Sequence, residues 1–330
     1  MDAILWSWER ARATVASPDI DRMVGVAVGS PVVAVELGDH DGAEIAGRLS
    51  RLPVVSVGVG SYADYAWDIR CDDPDPIIAG ALANPIAAVA AAQVLRGGDR
   101  RSFDDALLVE SLAYATLQSG AEFASWSASQ GRRVRNDDHP RVRMSEHADR
   151  VDVILDRPRL RNLIDARMRD ELIDAFGALA HGPTRPIRLS GGGAAFCAGG
   201  DPAEFGAVAD PATAHMLRST ANIAVCLHRV ADRVTAQVHG PCIGAGVEIM
   251  AFCGRVQAHP DTRFRLPETR MGLLPGVGGT VSIPARIGRH RTLAWLLQDS
   301  TIDADTALDW GLIDSIQRPE NDSSDVQRVV

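Results

Sequence analysis

The chain has 330 residues, of which 46% are hydrophobic and 23% are charged, and its formal net charge is −9. This composition is typical of a globular protein with enough apolar surface for one large or two modest domains. The acidic balance disfavours a nucleic-acid partner, because such proteins usually carry a basic excess. All 34 basic residues are arginines, which excludes a Schiff-base lysine and a P-loop lysine.

The five cysteines are spread along the chain and form no CxxC pair or Cys/His cluster with metal-ligand spacing. We therefore expect reduced thiols, no metal site and a cytoplasmic protein. The N-terminal residues lack the pattern of a secretory signal peptide, and we expect no membrane span because no apolar run is long enough.

The first half predicts one strand–helix–strand unit followed by helices. Residues 32–37 and 54–59 form apolar runs typical of strands, and residues 43–52 between them predict a helix. Residues 85–131 are then strongly helical in pattern.

The second half predicts a longer alternation of strands and helices. It follows a polar stretch, residues 137–150, that indicates a connector because it has no apolar periodicity. Strands alternating with helices predict an α/β fold. Strands are expected at 151–155, 186–189 and 234–238, and helical segments at 165–179 and 243–253.

A glycine-rich segment, residues 190–201, follows one of these strands. Glycine lets a backbone approach a ligand closely, so exposed amides there are suited to bind an anion or oxyanion. Phe196 stands where a dinucleotide fingerprint needs its last glycine, and a Walker loop needs a lysine. A simple tight turn is the alternative for this segment.

Two glutamates stand in further motifs. Glu248 follows the small residues 244–246 at the start of an apolar helical run, where main-chain amides favour negative charge. Glu268 follows Pro267 in an apolar stretch, where desolvation raises a carboxyl pKa and suits it to acid–base work. The alternatives are a helix-dipole partner for Glu248 and a solvated loop residue for Glu268.

Together these motifs resemble the crotonase family of enoyl-CoA hydratases and isomerases. The resemblance covers about residues 150–317 and implies a crotonase-like α/β fold built as a ββα superhelix. It is carried by the following residues, in this order: Asp156-Arg-Pro158, Asn162, Phe196-Cys-Ala-Gly-Gly-Asp201, Gly244-Ala-Gly-Val-Glu248, Pro267-Glu268, Ile287-Gly288, Ala307 and Gly311-Leu-Ile-Asp314.

The resemblance implies a set of catalytic residues. The main-chain amides of Ala198 and Ala245 correspond to an oxyanion hole for a thioester carbonyl. Glu248 and Glu268 correspond to the two acid–base residues of hydratases, and Gly276 corresponds to an amide that places the water. Family isomerases generally keep only the second glutamate, so the pair favours hydration over isomerisation, hydrolysis or decarboxylation.

The resemblance also implies an acyl-CoA or enoyl-CoA substrate, with coenzyme A brought by the substrate and no further cofactor. Asn162, Ala198 and Gly199 are the expected contacts of the CoA thioester. Members of the family form trimers or hexamers, so a homo-oligomer is expected. A non-catalytic acyl-CoA-binding or assembly subunit is the alternative from another functional class.

The domain prediction has three parts: an N-terminal region at 1–136, a connector at 137–150 and a catalytic core at 151–330. Residues 85–131 resemble the helices that close the active site at the family's C-terminus. We therefore interpret residues 1–136 as a degenerate crotonase-like copy whose helices cover the core of the same chain or of a neighbour. A fusion of two unrelated modules is the alternative.

Overall fold

The structure is a computed structural model that describes residues 4–60, 66–130, 139–208 and 210–317. Its N-terminal half contains a parallel sheet in the order β1–β2–β3–β4. The predicted strand–helix–strand unit is confirmed as β2–α3–β3 within this sheet. The strands are β1 (Leu5–Trp6), β2 (Val32–Glu36), β3 (Val55–Val59) and β4 (Ile69–Cys71).

Helices surround this sheet and continue beyond it. Pro85 opens one of them at a position where its missing N–H costs nothing. The Ser102 hydroxyl caps the next by accepting from the Asp105 amide. The helical pattern predicted over residues 85–131 is confirmed by α5, α6 and α7 as far as Ser129, and residue 131 lies outside the described residues. The helices are α1 (Trp8–Val15), α2 (Ile20–Met23), α3 (Ala43–Leu49), α4 (Asp75–Ala83), α5 (Pro85–Arg96), α6 (Phe103–Gln118) and α7 (Ala121–Ser129).

The C-terminal half is built on a second sheet in the order β13–β10–β8–β7–β6–β5 and a smaller one in the order β12–β11–β9. The predicted strands and helical segments of this half are confirmed. The strands are β5 (Val142–Glu146), β6 (Val151–Leu155), β7 (Ile187–Gly191), β8 (Val234–Val238), β9 (Pro241–Ile243), β10 (Arg255–Ala258), β11 (Arg263–Arg265), β12 (Ile302–Asp303) and β13 (Ser315–Ile316).

Helices connect these strands, as expected for parallel pairing. The pairs β6–β7, β7–β8 and β8–β10 are parallel. The helices are α8 (Ala166–His181), α9 (Pro211–Thr220), α10 (Ile223–His228), α11 (Ala245–Phe252), α12 (Gly279–Ile287), α13 (Arg289–Gln298) and α14 (Ala304–Trp310), and a 3-10 turn spans Glu268–Met271.

The predicted connector at residues 137–150 needs a correction. Its residues 142–146 form β5, which pairs antiparallel with β6 at the edge of the large sheet. An edge strand has one neighbour and largely exposed side chains, so its sequence lacks the apolar run of a central strand. The part of the connector before residue 139 lies outside the described residues.

The two halves share a hydrophobic core, and a second, smaller buried cluster lies within the first half. The shared cluster contains Val55 and Ala91 from the first half and Leu189 and Leu297 from the second. At Gly80 in α4, an added Cβ would lie 1.9 Å from the carbonyl oxygen of Leu297 in α13. The halves therefore pack backbone to backbone, although whether the first is a degenerate copy of the second stays a prediction.

Within the described residues, no single helix combines the length and apolar character needed to cross a membrane. The pair Asp75–Ala83 and Pro85–Arg100 meets both criteria only when taken together across a 112° bend.

Candidate active site

A cavity of about 350 Å³ lies between the helices of the first half and the core of the second. The predicted acid–base residues, amide donors and water-placing glycine all line it. Helices α6 and α7 line one side of it, and whether they also cover the core of a neighbouring chain stays a prediction. The lining residues include Tyr114, Gln118, Trp126, Ala198, Gly199, Arg218, Ala245, Glu248, Glu268 and Gly276.

Glu248 projects from the first turns of α11 and is 2% exposed. Its Oε2 accepts main-chain N–H groups from Val277 at 2.6 Å and from Gly279 at 2.9 Å. Burial raises the pKa of Glu248 to about 7, and the amides of Val277, Gly279 and Gly276 oppose this rise by stabilising the carboxylate. Glu248 therefore changes protonation near neutral pH.

Glu268 lies in the 3-10 turn after Pro267 and is 7% exposed. Burial and the nearby Glu248 carboxylate raise its pKa well above the usual value. Its Oε2 is buried and has no hydrogen-bond partner among the described residues. The neutral acid is therefore the favoured form of Glu268, and one of its oxygens is uncommitted.

Gly244 gives the two glutamates their proximity. It caps α11 with φ +51°, a conformation that favours glycine, and an added Cβ would lie 2.7 Å from Oε1 of Glu268. The turn at Gly244 therefore brings the start of α11 directly against the carboxyl group of Glu268.

The two predicted oxyanion amides differ in their surroundings. Ala245 is the first residue of α11, where a main-chain N–H has no partner within the helix. The N–H of Ala198 donates to the carbonyl oxygen of Arg161 at 2.9 Å. Arg161 has φ +51°, an uncommon conformation for a non-glycine residue. The Ala198 N–H is therefore engaged. A thioester oxygen must share this N–H with the Arg161 carbonyl or displace that carbonyl.

Asn162 is expected from the sequence to contact the CoA thioester, but it lies outside the cavity. Its side chain is fully buried and is not part of the cavity wall. Its Nδ2 donates to the carbonyls of Gly192, Ala195 and Phe196, and its Oδ1 accepts from the Arg157 amide. Both Nδ2 hydrogens are engaged in shaping the glycine-rich loop, and burial outside the cavity wall keeps this side chain from a CoA contact.

Comparison with known proteins decides the family. A family model described as enoyl-CoA hydratase/isomerase matches residues 147–326. This chain belongs to the enoyl-CoA hydratase/isomerase family. Its crotonase fold is shared with an enoyl-CoA hydratase from Thermoplasma volcanium, at 29% identity and a TM-score of 0.50 over 54% of this chain and 72% of that one.

Curated relatives point to the same family. A probable enoyl-CoA hydratase of Rhodobacter capsulatus is 32% identical over 161 residues, which are 49% of this chain and 62% of the relative. An enoyl-CoA isomerase/hydratase of Mycosarcoma maydis is 27% identical over 174 residues, 50% of this chain and 64% of the relative. The chain thus spans less than two thirds of the length of each curated relative.

The first half of this hydratase/isomerase family member supplies part of the site. The ring of Tyr114 packs on Gly276, where an added Cβ would lie 2.6 Å from Cδ2 and Cε2 of the ring. The Arg218 guanidinium stacks on the same ring at 4.4 Å from its centroid. Nε and Nη2 of Arg218 are buried without a hydrogen-bond partner among the described residues.

One acidic residue of the site region was missed by sequence reasoning. Glu110 of α6 is 2% exposed and accepts hydrogen bonds from Gly278 and Thr280. Its sequence signal is a single acid in the apolar run 106–113. That run gives no indication of a partner 168 residues away. The described residues contain no group of three or more His, Cys, Asp and Glu placed to hold a metal ion.

Proposed function

We propose that this protein is an enoyl-CoA hydratase that adds water across the 2,3 double bond of an enoyl-CoA thioester. The observation that carries the proposal is the pair of buried carboxyl groups in one cavity, Glu248 and Glu268. Glu248 is held by main-chain amides and has a pKa of about 7. Glu268 has an uncommitted oxygen and a pKa raised well above its usual value.

These differences assign the two roles. Ionised Glu248 takes a proton from water as the water oxygen attacks C3, and the Gly276 amide helps to place that water. Neutral Glu268 then donates a proton to C2 of the resulting enolate. A general base works best with a pKa near the operating pH, which fits Glu248, and a buried neutral acid fits Glu268.

The enolate oxygen needs stabilisation as charge develops on the thioester carbonyl. We assign this to the N–H groups of Ala198 and Ala245, with the Ala198 donor released from the Arg161 carbonyl or shared with it. Removing one such donor typically costs about 10²–10³ in rate. Because these donors act on the enolate, the same hole would serve other reactions of the family.

The proposal extends to ligands and assembly. Coenzyme A enters as part of the substrate, with Ala198 and Gly199 beside the thioester, and we propose no further cofactor. We also propose a homo-oligomer, a trimer or hexamer, as in other members of the family.

Isomerisation of a 3-enoyl-CoA to the 2-enoyl-CoA is the second candidate. Once ionised, Glu268 could accept a proton from C2 on its unpartnered Oε2 and return it to C4 without help from Glu248. Hydration is preferred because isomerisation leaves no role for the second buried carboxyl group, whose burial carries a free-energy cost.

The test is an absorbance assay with purified full-length protein and a series of enoyl-CoA thioesters. Loss of the conjugated enoyl-thioester band from crotonyl-CoA or longer 2-enoyl-CoAs supports the hydratase. Gain of that band from 3-enoyl-CoAs supports the isomerase. Release of free CoA thiol, measured in the same samples, would favour hydrolysis and contradict both.

A further inference from the structure

Glu110 reaches from helix α6 of the first half into the segment that follows Pro275. Its Oε1 accepts the Gly278 amide at 2.7 Å, and its Oε2 accepts the Thr280 amide at 2.9 Å and the Thr280 hydroxyl at 2.7 Å. Both carboxyl oxygens of Glu110 are thus engaged, and the residue is only 2% exposed.

Glu110 and Glu248 divide this short segment between them. Val277 and Gly279 donate their amides to Glu248, whereas the alternate residues Gly278 and Thr280 donate to Glu110. The segment therefore lies between two carboxyl groups that approach it from opposite halves of the chain.

Glycines make this alternation sterically possible. Gly278 has φ +92°, and a Cβ there would lie 2.6 Å from the Phe252 ring. At Gly279 a Cβ would lie 2.6 Å from Cγ of Glu248. Without side chains, these residues are held through their backbone alone. The Gly278 carbonyl accepts the amides of Val281 and Ser282 at the start of α12, and the amides of residues 277–280 are directed by the two carboxyl groups.

We propose that Glu110 is a positioning residue for the reaction, because it anchors the amides that in turn hold and orient Glu248. This inference rests on the proposed function. Glu110 touches neither the substrate nor the reacting atoms; it acts through residues 277–280.

Glu110 acts on the protonation of Glu248 through the amides it anchors. The amides of Val277 and Gly279 stabilise ionised Glu248 and so lower its pKa. Burial and the neighbouring Glu248 raise the pKa of Glu110 to about 8, above that of Glu248, so Glu110 is neutral while Glu248 loses its proton. Within the part of the chain that the structure describes, the other ionisable groups that interact with this pair are Tyr114 of α6, Arg218 of α9, Cys197 of the glycine-rich segment 190–201, and Glu268.

Kinetics of Glu110→Gln and Glu110→Asp on a 2-enoyl-CoA test the inference. Gln places an N–H₂ group against main-chain donors, so we expect kcat to fall by about 10- to 100-fold with little change in KM. Amides that are no longer anchored stabilise ionised Glu248 less, so the acid limb of the kcat/KM profile should move to higher pH. Asp keeps a carboxyl acceptor but is shorter, so we expect a smaller fall in kcat and a smaller shift of the acid limb in the same direction.

Glu171→Gln is the matched control. Glu171 also accepts two main-chain amides, from Arg141 and Val142, but it lies outside the cavity wall. We expect its kcat and pH profile to match those of the wild type. If Glu110→Gln kept the wild-type kcat and acid limb, or lost only the activity explained by its unfolded fraction, the inference would be wrong.

A spectroscopic titration separates this inference from the proposed function. The carboxyl ¹³C signal of Glu248, assigned by its loss in Glu248→Gln, should titrate at higher pH in Glu110→Gln than in the wild type, because its amide donors are less well placed. A shift in a protein that hydrates no enoyl-CoA would overturn the hydratase and leave the Glu110–Glu248 coupling standing. An unmoved Glu248 titration in an active hydratase would overturn the coupling alone.

Discussion

The main-chain N–H of Ala198 donates to the carbonyl oxygen of Arg161 at 2.9 Å. One of the two amides assigned to the oxyanion hole is therefore satisfied within the protein before any thioester arrives. The thioester oxygen must therefore compete with the Arg161 carbonyl for the Ala198 N–H, and this change of partner can be measured during binding.

We expect this amide to report ligand binding. When a saturated acyl-CoA such as butyryl-CoA fills the site, the Ala198 N–H should turn to the thioester oxygen. Its amide ¹H and ¹⁵N resonances should then shift. The amide resonances of Val247, whose N–H donates to the Gly244 carbonyl, should keep their positions. An unmoved Ala198 resonance at saturating ligand would contradict the assigned hole.

Gly276→Ala should disturb the site by overpacking. The new methyl would lie 2.6 Å from the Tyr114 ring, and such crowding typically costs about 1–3 kcal/mol. We expect a lower melting temperature and a lower kcat for hydration. Adding Tyr114→Leu should recover much of the lost stability, with Tyr114→Leu alone as control. Equal destabilisation with and without Tyr114→Leu would contradict this contact.

Gly80→Ala tests how the halves are docked. Its methyl would overlap the Leu297 carbonyl, 1.9 Å away, and backbone cannot swing aside as a side chain can. We expect urea unfolding to show a loss of more than about 1 kcal/mol. Gly47→Ala in α3 meets nothing within 4 Å and should instead gain about 0.5–1 kcal/mol. Similar effects of both changes would contradict the close packing of α4 on α13.

Stability should fall as pH rises through the neutral range. Burial raises the pKa of Glu248 from 4.5 to about 7 and that of Glu110 from 4.5 to about 8. The folded protein therefore holds protons that the unfolded chain releases above about pH 4.5. Their contribution is fully present below that pH and is lost by about pH 8. Urea unfolding across this window should give a negative slope that is shallower in Glu110→Gln; an unchanged slope would contradict Glu110 as a source.

Sequence patterns predict the central strands and the long apolar helices for physical reasons, and they leave several shorter elements, such as α9, β9 and β10, unpredicted. The strands at 151–155 and 234–238 are central, so their apolar runs mark them, and β6 and β8 have these bounds. The edge strand at 142–146 lacks such a run because its side chains are largely exposed, so its sequence indicates a connector instead.

The predicted site residues assemble where short motifs set their positions. Gly244 and Glu248 lie within one turn and helix, so their relation is local. The partners that tune them are not local: Glu110 meets Gly278 across 168 residues, and no spacing rule links the two. Asn162 shows the same limit, since its amide pairs with loop carbonyls about 30 residues later along the chain.

The most direct test of the hydratase with an acid–base pair compares wild type, Glu248→Gln and Glu268→Gln on crotonyl-CoA. We expect the wild type to consume the conjugated band and both variants to lose about 10² or more in kcat, because each removes a proton-transfer group. Melting temperatures and butyryl-CoA affinity control for folding and binding. Wild-type hydration that survives either substitution would contradict the pair.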